Sequence, residues 1–150
     1  MQHRSRALAR ALSAAALLGA ASPAATSDVT ITVTNLRNHK GLVRACMTAE
    51  VAHFPSCKNP ATSYQVFGNA AGSVTLTFAD VRPGRYAIAL LHDENANGKA
   101  DRAAMMIPKE GFGFSRDAKV RFGPPKFGEA AFEVAPGERE TLTIRMRYML

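Results

Sequence analysis

The chain has 150 residues, which suffices for one domain and is short for two. It carries 19 Lys and Arg against 12 Asp and Glu, a formal net charge of +7, and it contains no Trp. The basic residues are scattered singly, without the basic face and stacking aromatics of nucleic-acid-binding domains, so the sequence argues against that class.

The N-terminal segment has the composition of a secretory signal peptide. Three arginines in the first ten residues precede a small and apolar run over residues 11–21, and small residues follow. The run is shorter than the roughly 20 residues that span a bilayer. We therefore predict a signal peptide over residues 1–25, cleaved near Ala24 or Ala25 or else at Ala21. The mature domain, residues 26–150, is then secreted or periplasmic and has no transmembrane segment. The alternative is a buried N-terminal helix.

Seven segments of the mature chain are typical of short β-strands. In the first and the last, apolar residues alternate with Thr or Arg, and this period of two places the apolar side chains on one face. Residues 86–91 form a continuous apolar run, which favours a central strand covered on both faces. The predicted strands are residues 29–34, 42–48, 64–67, 73–78, 86–91, 130–134 and 141–148.

This pattern predicts an all-β fold, a single antiparallel β-sandwich of about seven strands. No mature segment has a helical period. Residues 103–128 hold many Gly, Pro and Phe outside strands, and we expect an ordered excursion anchored by Phe112, Phe114, Phe122 and Phe127. The expected core consists of Ile31, Val33, Leu76, Phe78, Ile88, Ile144 and Met146.

Cys46 and Cys57 are the two cysteines of the chain. In an oxidising compartment an even count favours a disulfide, which across so short a loop contributes roughly 3 kcal/mol. Two free thiols or a metal pair are the alternatives. The spacing is not C-x-x-C, which argues against a thioredoxin-like or zinc site.

One acidic loop, residues 93–101, resembles a calcium loop. Side-chain oxygens recur at Asp93, Asn95, Asn97 and Asp101, which match positions 1, 3, 5 and 9 of an EF-hand-type loop, and Lys99 at position 7 would offer its carbonyl. Gly98 at position 6 permits the sharp turn.

The match to a calcium loop is incomplete. Position 12 is Ala104, which cannot replace the bidentate glutamate, and no flanking helices are predicted. Glu110 could fold back to complete the ligand set. The competing interpretation is a hairpin turn, because Asn97-Gly98 is a strong hairpin signal.

We find no convincing catalytic constellation. His92 and Asp93 are neighbours in a predicted strand, where successive side chains point to opposite faces, so adjacency does not make a dyad. Ser115 does not stand in the G-x-S-x-G motif of serine hydrolases. The spacing of His39, His53 and His92 forms no recognised pair of transition-metal ligands.

Three longer motifs carry a family resemblance: F-x-D-V-x-P-G-x-Y-A at residues 78–87, H-D-E-N-x-N-G-K-x-D at 92–101 and I-P-K-E-G-F-G-F-S at 107–115. With P-P-x-F at 124–127 they resemble the bacterial family called domain of unknown function 2141, over about residues 29–148. Met105 and Met106 depart from it, since a Gly is expected before the Ile-Pro pair, and the cysteine segment is not typical of the whole family. The resemblance implies an exported β-sandwich and no established activity.

The P-G-x-Y strand start at residues 83–86 also resembles transthyretin-like and carboxypeptidase-regulatory-like modules, which are usually noncatalytic. We therefore expect an exported, noncatalytic accessory module that binds an envelope protein or glycan. Calcium is the expected cofactor, held by Asp93, Asn95, Asn97, Lys99, Asp101 and Glu110. The alternative is an envelope enzyme with its site at His92, Asp93 and Glu110.

Overall fold

The computed structural model describes residues 22–150. The predicted signal peptide, residues 1–25, lies almost entirely outside these described residues and stays a prediction. None of the helices in the described part of the chain is long and apolar enough to cross a membrane.

The described chain folds into eight β-strands with very little helix. The strands are β1 (Ser27–Thr34), β2 (Leu42–Thr48), β3 (Ser63–Asn69), β4 (Val74–Val81), β5 (Gly84–Asp93), β6 (Gly111–Phe114), β7 (Phe132–Val134) and β8 (Glu140–Arg145). One α-helical turn, α1, spans Phe127–Ala130, and 3-10 turns lie at Val51–His53, Ala104–Met106 and Ser115–Asp117. The all-β prediction is confirmed, with eight strands instead of about seven.

The strands form two sheets. The first has the order β4-β1-β8, and the second has the order β3-β2-β5-β6, with β7 also paired to β5. All pairs are antiparallel except β1 and β8, which run parallel. The sheets are therefore predominantly antiparallel, as predicted, with one parallel pair at this edge. The reason is that β8 is reached from β7 in the other sheet and not by a hairpin from β1.

One apolar core takes side chains from both sheets. It contains Val29, Ile31 and Val33 of β1 together with Val43 and Met47 of β2. All seven residues predicted for the core are buried. The alternation of buried and more exposed residues along β1 and β4 is the period-two pattern of the sequence.

Strand β5 is covered on both faces, as its continuous apolar run predicts. Ile88 and Leu90 belong to the core between the sheets. Ala87 faces a second, smaller cluster with Phe114 and Phe127. This apolar run matches the central position of β5, which lies between β2 and β6 in the second sheet.

The excursion over residues 103–128 contains a strand that the sequence did not predict, β6. Its Gly111 and Gly113 make it look like a loop, but both are needed for close packing. A Cβ on Gly111 would collide with the Tyr148 ring, and one on Gly113 would lie 3.1 Å from Cγ2 of Ile144. Tertiary contacts thus override the weak strand propensity of glycine.

Two further details differ from the sequence expectations. Phe112, Phe114 and Phe127 anchor the excursion, but Phe122 is fully exposed. Asn97-Gly98 does not form a two-residue hairpin, because β5 ends at Asp93 and its partner β6 begins only at Gly111. The long connection places Gly98 at a positive φ of 75° inside a larger loop.

The predicted disulfide is present. Cys46 of β2 is bonded to Cys57, with their Cα atoms 6.1 Å apart. It ties the irregular segment after β2, including its 3-10 turn, to the sheet. The alternatives of free thiols or a metal pair are therefore excluded for these cysteines.

Candidate functional site

The acidic loop begins where β5 leaves the sheet, and Asp93 fixes its base. The Asp93 carboxylate is completely buried. Its Oδ2 accepts hydrogen bonds from Nε of Arg44 at 2.6 Å and from the Gly98 amide at 2.9 Å, and its Oδ1 accepts one from the Asn97 amide at 3.0 Å. One side chain thereby fixes both the turn of the loop and its attachment to β2.

These contacts set the protonation state of Asp93. Burial opposes ionisation of the carboxyl group, but the hydrogen bonds from Arg44, Gly98 and Asn97 together outweigh it, so the pKa of Asp93 lies below its ordinary value. Asp93 is therefore a charged anchor at neutral pH, and both of its oxygens already have partners within the chain.

The outer part of the loop brings together three of the predicted ligands. Nδ2 of Asn95 donates to Oδ2 of Asp101 at 2.7 Å, and Nδ2 of Asn97 donates to the two oxygens of Asp101 at 2.9 and 3.2 Å. Oδ1 of Asn97 accepts the Lys99 amide at 2.8 Å. Asn95, Asn97 and Asp101 thus face one another at the exposed surface, while Asp93 lies beneath them.

Glu110 folds back onto the loop from the chain just before β6. It is almost fully buried, and its two oxygens accept the backbone amides of Glu94 and Asp101, each at 3.1 Å. Burial and the nearby charges of Asp101 and Asp93 raise the pKa of Glu110, outweighing these two hydrogen bonds. A carboxylate from outside the acidic loop therefore lies beside the three that the loop contains.

His92 occupies the opposite face of β5 from Asp93 and is completely buried. Its Nε2 lies 2.8 Å from the carbonyl oxygen of Lys40, which can only accept, so this nitrogen carries the proton. Nδ1 then accepts from the Tyr148 hydroxyl at 2.8 Å, and that hydroxyl accepts the Arg37 amide at 3.1 Å. Both ring nitrogens are thus satisfied by the fold.

Arg37 connects this network to the loop and to the chain terminus. Its guanidinium binds Glu94 through two hydrogen bonds, of 2.6 and 2.8 Å, and stacks 4.7 Å above the Tyr148 ring. It also donates to the carbonyls of Lys109 and Leu150. The hydrogen bond from Arg37 lowers the pKa of Glu94 despite partial burial.

A cleft of about 400 Å³ opens above these side chains. Its walls carry both signs of charge, which suits a polar ligand better than an apolar one. The lining residues are Arg37, Lys40, Glu94, Asn95, Asp101, Lys109 and Glu110.

The six predicted calcium ligands therefore occupy two levels. Asn95, Asn97 and Asp101, with the backbone of Lys99, form the outer level, and Asp93 and Glu110 form the buried one. Within residues 22–150, no group of three or more His, Cys, Asp or Glu side chains is arranged to hold a metal ion. The predicted calcium site depends instead on amide and carbonyl oxygens beside the carboxylates, and calcium binding there stays a prediction.

The polar atoms of the three residues in the enzyme alternative have separate partners. His92 bonds Tyr148 and Lys40, Asp93 bonds Arg44 and the loop, and Glu110 bonds two backbone amides. The Ser115 hydroxyl is likewise buried and bonds the backbone of Ile88 and Ala130.

Sequence analysis missed Arg37, Arg44 and Tyr148. They lie 49 to 57 positions from the loop residues that they contact, and no local motif marks them. The feature that relates Arg44 to this region is the register between β2 and β5. Leu42 pairs with Asp93 and Val43 pairs with His92, which brings Arg44, the next residue of β2, close to the end of β5.

Comparison with known proteins adds a family. No curated protein and no solved structure matches the chain. Residues 31–142, most of the described domain, match the model of a family described as "Uncharacterized protein conserved in bacteria (DUF2141)". The matched stretch runs from the middle of β1 into β8 and includes the acidic loop and Glu110, and the chain belongs to this bacterial family.

Proposed function

We propose that the chain is an exported, noncatalytic β-sandwich module that binds a polar envelope ligand, a protein segment or a glycan, at the cleft beside the acidic loop. The observation that carries the proposal is how the polar groups beside the cleft are bonded. The buried carboxylates of Asp93 and Glu110 hold the acidic loop in shape, and the more exposed side chains of Asn95, Asn97 and Asp101 converge at its rim. Such a division suits a preformed binding surface.

The same observation disfavours the enzyme alternative. A general base must reach a substrate proton with a free lone pair. Nδ1 of His92 is used by Tyr148, and the oxygens of Asp93 are used by Arg44 and two amides. An enzyme that used His92 or Asp93 as its base would have to expose that buried group and displace these partners.

We further propose that calcium binds at the rim of the loop. Cation binding would require the Asn95 and Asn97 side chains to turn so that their oxygens face the ion. Both residues would then give up their hydrogen bonds to Asp101 and the hydrogen bonds that their oxygens accept from the amides of Asn97 and Lys99. The Lys99 carbonyl and Glu110 would add oxygens, and Asp93 would hold the loop in shape beneath them. With few charged ligands, the dissociation constant should fall near ~10⁻⁴–10⁻³ M, as in extracellular modules.

A calcium titration tests the cation site. Binding to the folded state alone stabilises it by about 2.7 kcal/mol when free calcium reaches 100 times the dissociation constant. Wild-type protein should therefore melt at a higher temperature in calcium, and calorimetry should report one ion bound. Calcium-independent melting together with no binding heat would remove the cation site from the proposal.

Variants can separate a residue that binds calcium from one that only holds the loop in shape. Asp101→Asn should abolish the calcium-induced gain while changing melting without calcium only slightly, since Asp101 is partly exposed. Glu133→Gln removes the same charge from an exposed position on β7 and should retain the full gain. Asp93→Ala is less diagnostic, because it also removes the anchor of the loop.

Export is tested separately. Expression of the full chain followed by cell fractionation should recover a processed protein that has lost about 21 to 25 residues, as measured by intact mass. Deletion of residues 1–25 should leave the protein in the cytoplasm. An unprocessed full-length protein in the cytoplasmic fraction would contradict export without affecting the calcium test.

A further inference from the structure

A second distinctive surface lies outside the cleft, on the loop between the 3-10 turn at Ser115–Asp117 and α1. We call residues 118–126, Ala-Lys-Val-Arg-Phe-Gly-Pro-Pro-Lys, the basic loop. Its two ends are held by the smaller apolar cluster, which buries Ala118 at one end and Phe127, directly after the loop, at the other. The basic loop is therefore a protrusion on a fixed base.

The tip of the basic loop presents a phenylalanine to solvent. Phe122 is 109% exposed, whereas Phe54, Phe114 and Phe127 pack edge to face beneath the loop. A side chain at the neighbouring Gly123 would have no atom within 4 Å. The apolar cluster could hold aromatic rings from this excursion, yet this ring stands clear of it.

The flanks of the tip are uniformly cationic. Lys119, Arg121 and Lys126 are all exposed, and within the described residues none of the three forms an ion pair. Residues 118–128 contain no acid. The carboxylates that flank the loop in sequence accept backbone amides: Asp117 accepts the Arg145 amide, and Glu129 accepts the amide of Lys126 at the end of the loop.

We propose that the basic loop docks the protein on the surface of an anionic phospholipid bilayer. Phe122 enters the boundary between headgroups and acyl chains, and the three cations lie at the level of the lipid phosphates. An aromatic ring among Lys and Arg suits this boundary, since the ring leaves water while the long cationic side chains remain in it.

The aromatic tip favours a bilayer over a soluble polyanion. Cations alone would bind an acidic glycan or protein, and such binding would gain little from an isolated ring at the apex. A bilayer supplies both negative charge and an apolar layer beneath it. This surface shares no residue with the cleft, so the inference does not depend on the cation site.

The lack of Trp in the chain allows a direct test of insertion. Phe122→Trp introduces a single indole at the tip, and the full-length variant is mixed with vesicles of phosphatidylglycerol and phosphatidylcholine. We expect a blue shift of the emission and quenching by brominated acyl chains. Phe67→Trp places the indole at an exposed position on β3, where neither change should occur.

A charge series tests the electrostatic part. Attraction to an anionic surface changes the partition coefficient roughly fivefold per cation, so Lys119→Gln, Arg121→Gln and Lys126→Gln combined should lower it on the order of 100-fold. The control replaces Lys58, Arg82 and Arg139, which are exposed elsewhere, by Gln and keeps the same net charge. Because all variants share the N-terminal segment, its contribution to binding cancels.

Three outcomes would overturn the proposal. One is an indole from Phe122→Trp that stays in water while the protein is bound to anionic vesicles. The second is equal loss of vesicle binding in the two triple variants, which would indicate attraction by net charge alone. The third is that heparin binds as tightly as the vesicles and Phe122→Ser weakens neither, in which case the surface binds polyanions and not bilayers.

Discussion

The middle and the C-terminal end of β5 are equally buried but for opposite physical reasons. Ile88, in the middle, packs among apolar side chains of both sheets, while His92 and Asp93, at the end, are just as inaccessible to water and wholly polar. The apolar middle gains from non-directional removal of surface from water. The polar end is tolerated only because each buried atom has a placed partner.

This contrast indicates a division of roles. Most apolar residues of similar size could fill the core with modest loss, because volume and pattern largely suffice there. The polar end, comprising His92, Asp93 and their partners Arg44, Tyr148 and Glu94, depends on individual atoms. It sets the shape of the loop and cleft, and substitutions there should alter geometry as well as stability.

The largest expected effect lies in the apolar core. Phe78 of β4 is 1% exposed, and Phe78→Ala should lower the free energy of unfolding by about 3–5 kcal/mol through lost burial and a cavity. Urea denaturation measures it. Phe122→Ala removes the same atoms from a fully exposed site and should change stability by less than about 0.5 kcal/mol.

The next largest effect is expected for a substitution that breaks the polar end of β5. Arg44→Met leaves the buried carboxylate of Asp93 without its cation, and we expect a loss of about 2–3 kcal/mol. That is below the full cost of an orphaned buried charge, because the Arg44 side chain is 36% exposed. Arg85→Met breaks an exposed 3.6 Å pair with Glu133 and should cost almost nothing. Equal losses in the two variants would show that burial of Asp93 carries no special weight.

A smaller effect isolates single hydrogen bonds. Tyr148→Phe keeps the ring under Arg37 but leaves Nδ1 of His92 without its donor, which should cost about 1–2 kcal/mol. Tyr64→Phe is the matched control. The Tyr64 hydroxyl accepts the amide of exposed Arg82, so its removal should cost less. A chemical-shift change at the His92 ring in the first variant alone would confirm that its tautomer is set by Tyr148.

The smallest effect depends on pH. The pKa values of Asp93 and Glu94 are lowered in the folded state. Their contribution to the free energy of unfolding is therefore present above the pKa of the unfolded chain, about 4, and is lost as the pH falls through the pKa values of the folded state. Glu94→Gln should therefore cost under about 1 kcal/mol at pH 7, and the difference from wild type should shrink at acid pH.

Glu110 should act with the opposite sign. Its pKa is raised in the folded state, so the fold favours its protonated form, and this contribution is lost as pH rises through the folded value. The free energy of unfolding, measured from pH 3 to 7, should thus rise as Asp93 and Glu94 ionise. The ionisation of Glu110 should partly offset this rise. A difference between wild type and Glu94→Gln that grows on acidification would contradict the assigned signs.

Local sequence patterns were sufficient for the regular part of the fold. Three features could be recognised within a few residues or from composition alone. They are the alternation in β1 and β4, the apolar run of β5 and the even cysteine count. The strand β6 escaped prediction, because its glycines have weak strand propensity. Only the approach of Tyr148 and Ile144 explains why they are needed.

The sequence by itself determined the class of the fold, the buried face of each main strand and the residues of the acidic loop. Only the tertiary structure decided that β8 pairs parallel to β1, that Arg44 neutralises Asp93, and that Tyr148 and Arg37 reach His92 and Glu94. Hydrophobic burial follows a short period that the sequence displays. Hydrogen bonds and ion pairs instead join atoms brought together by chain topology, at separations that local pattern does not encode.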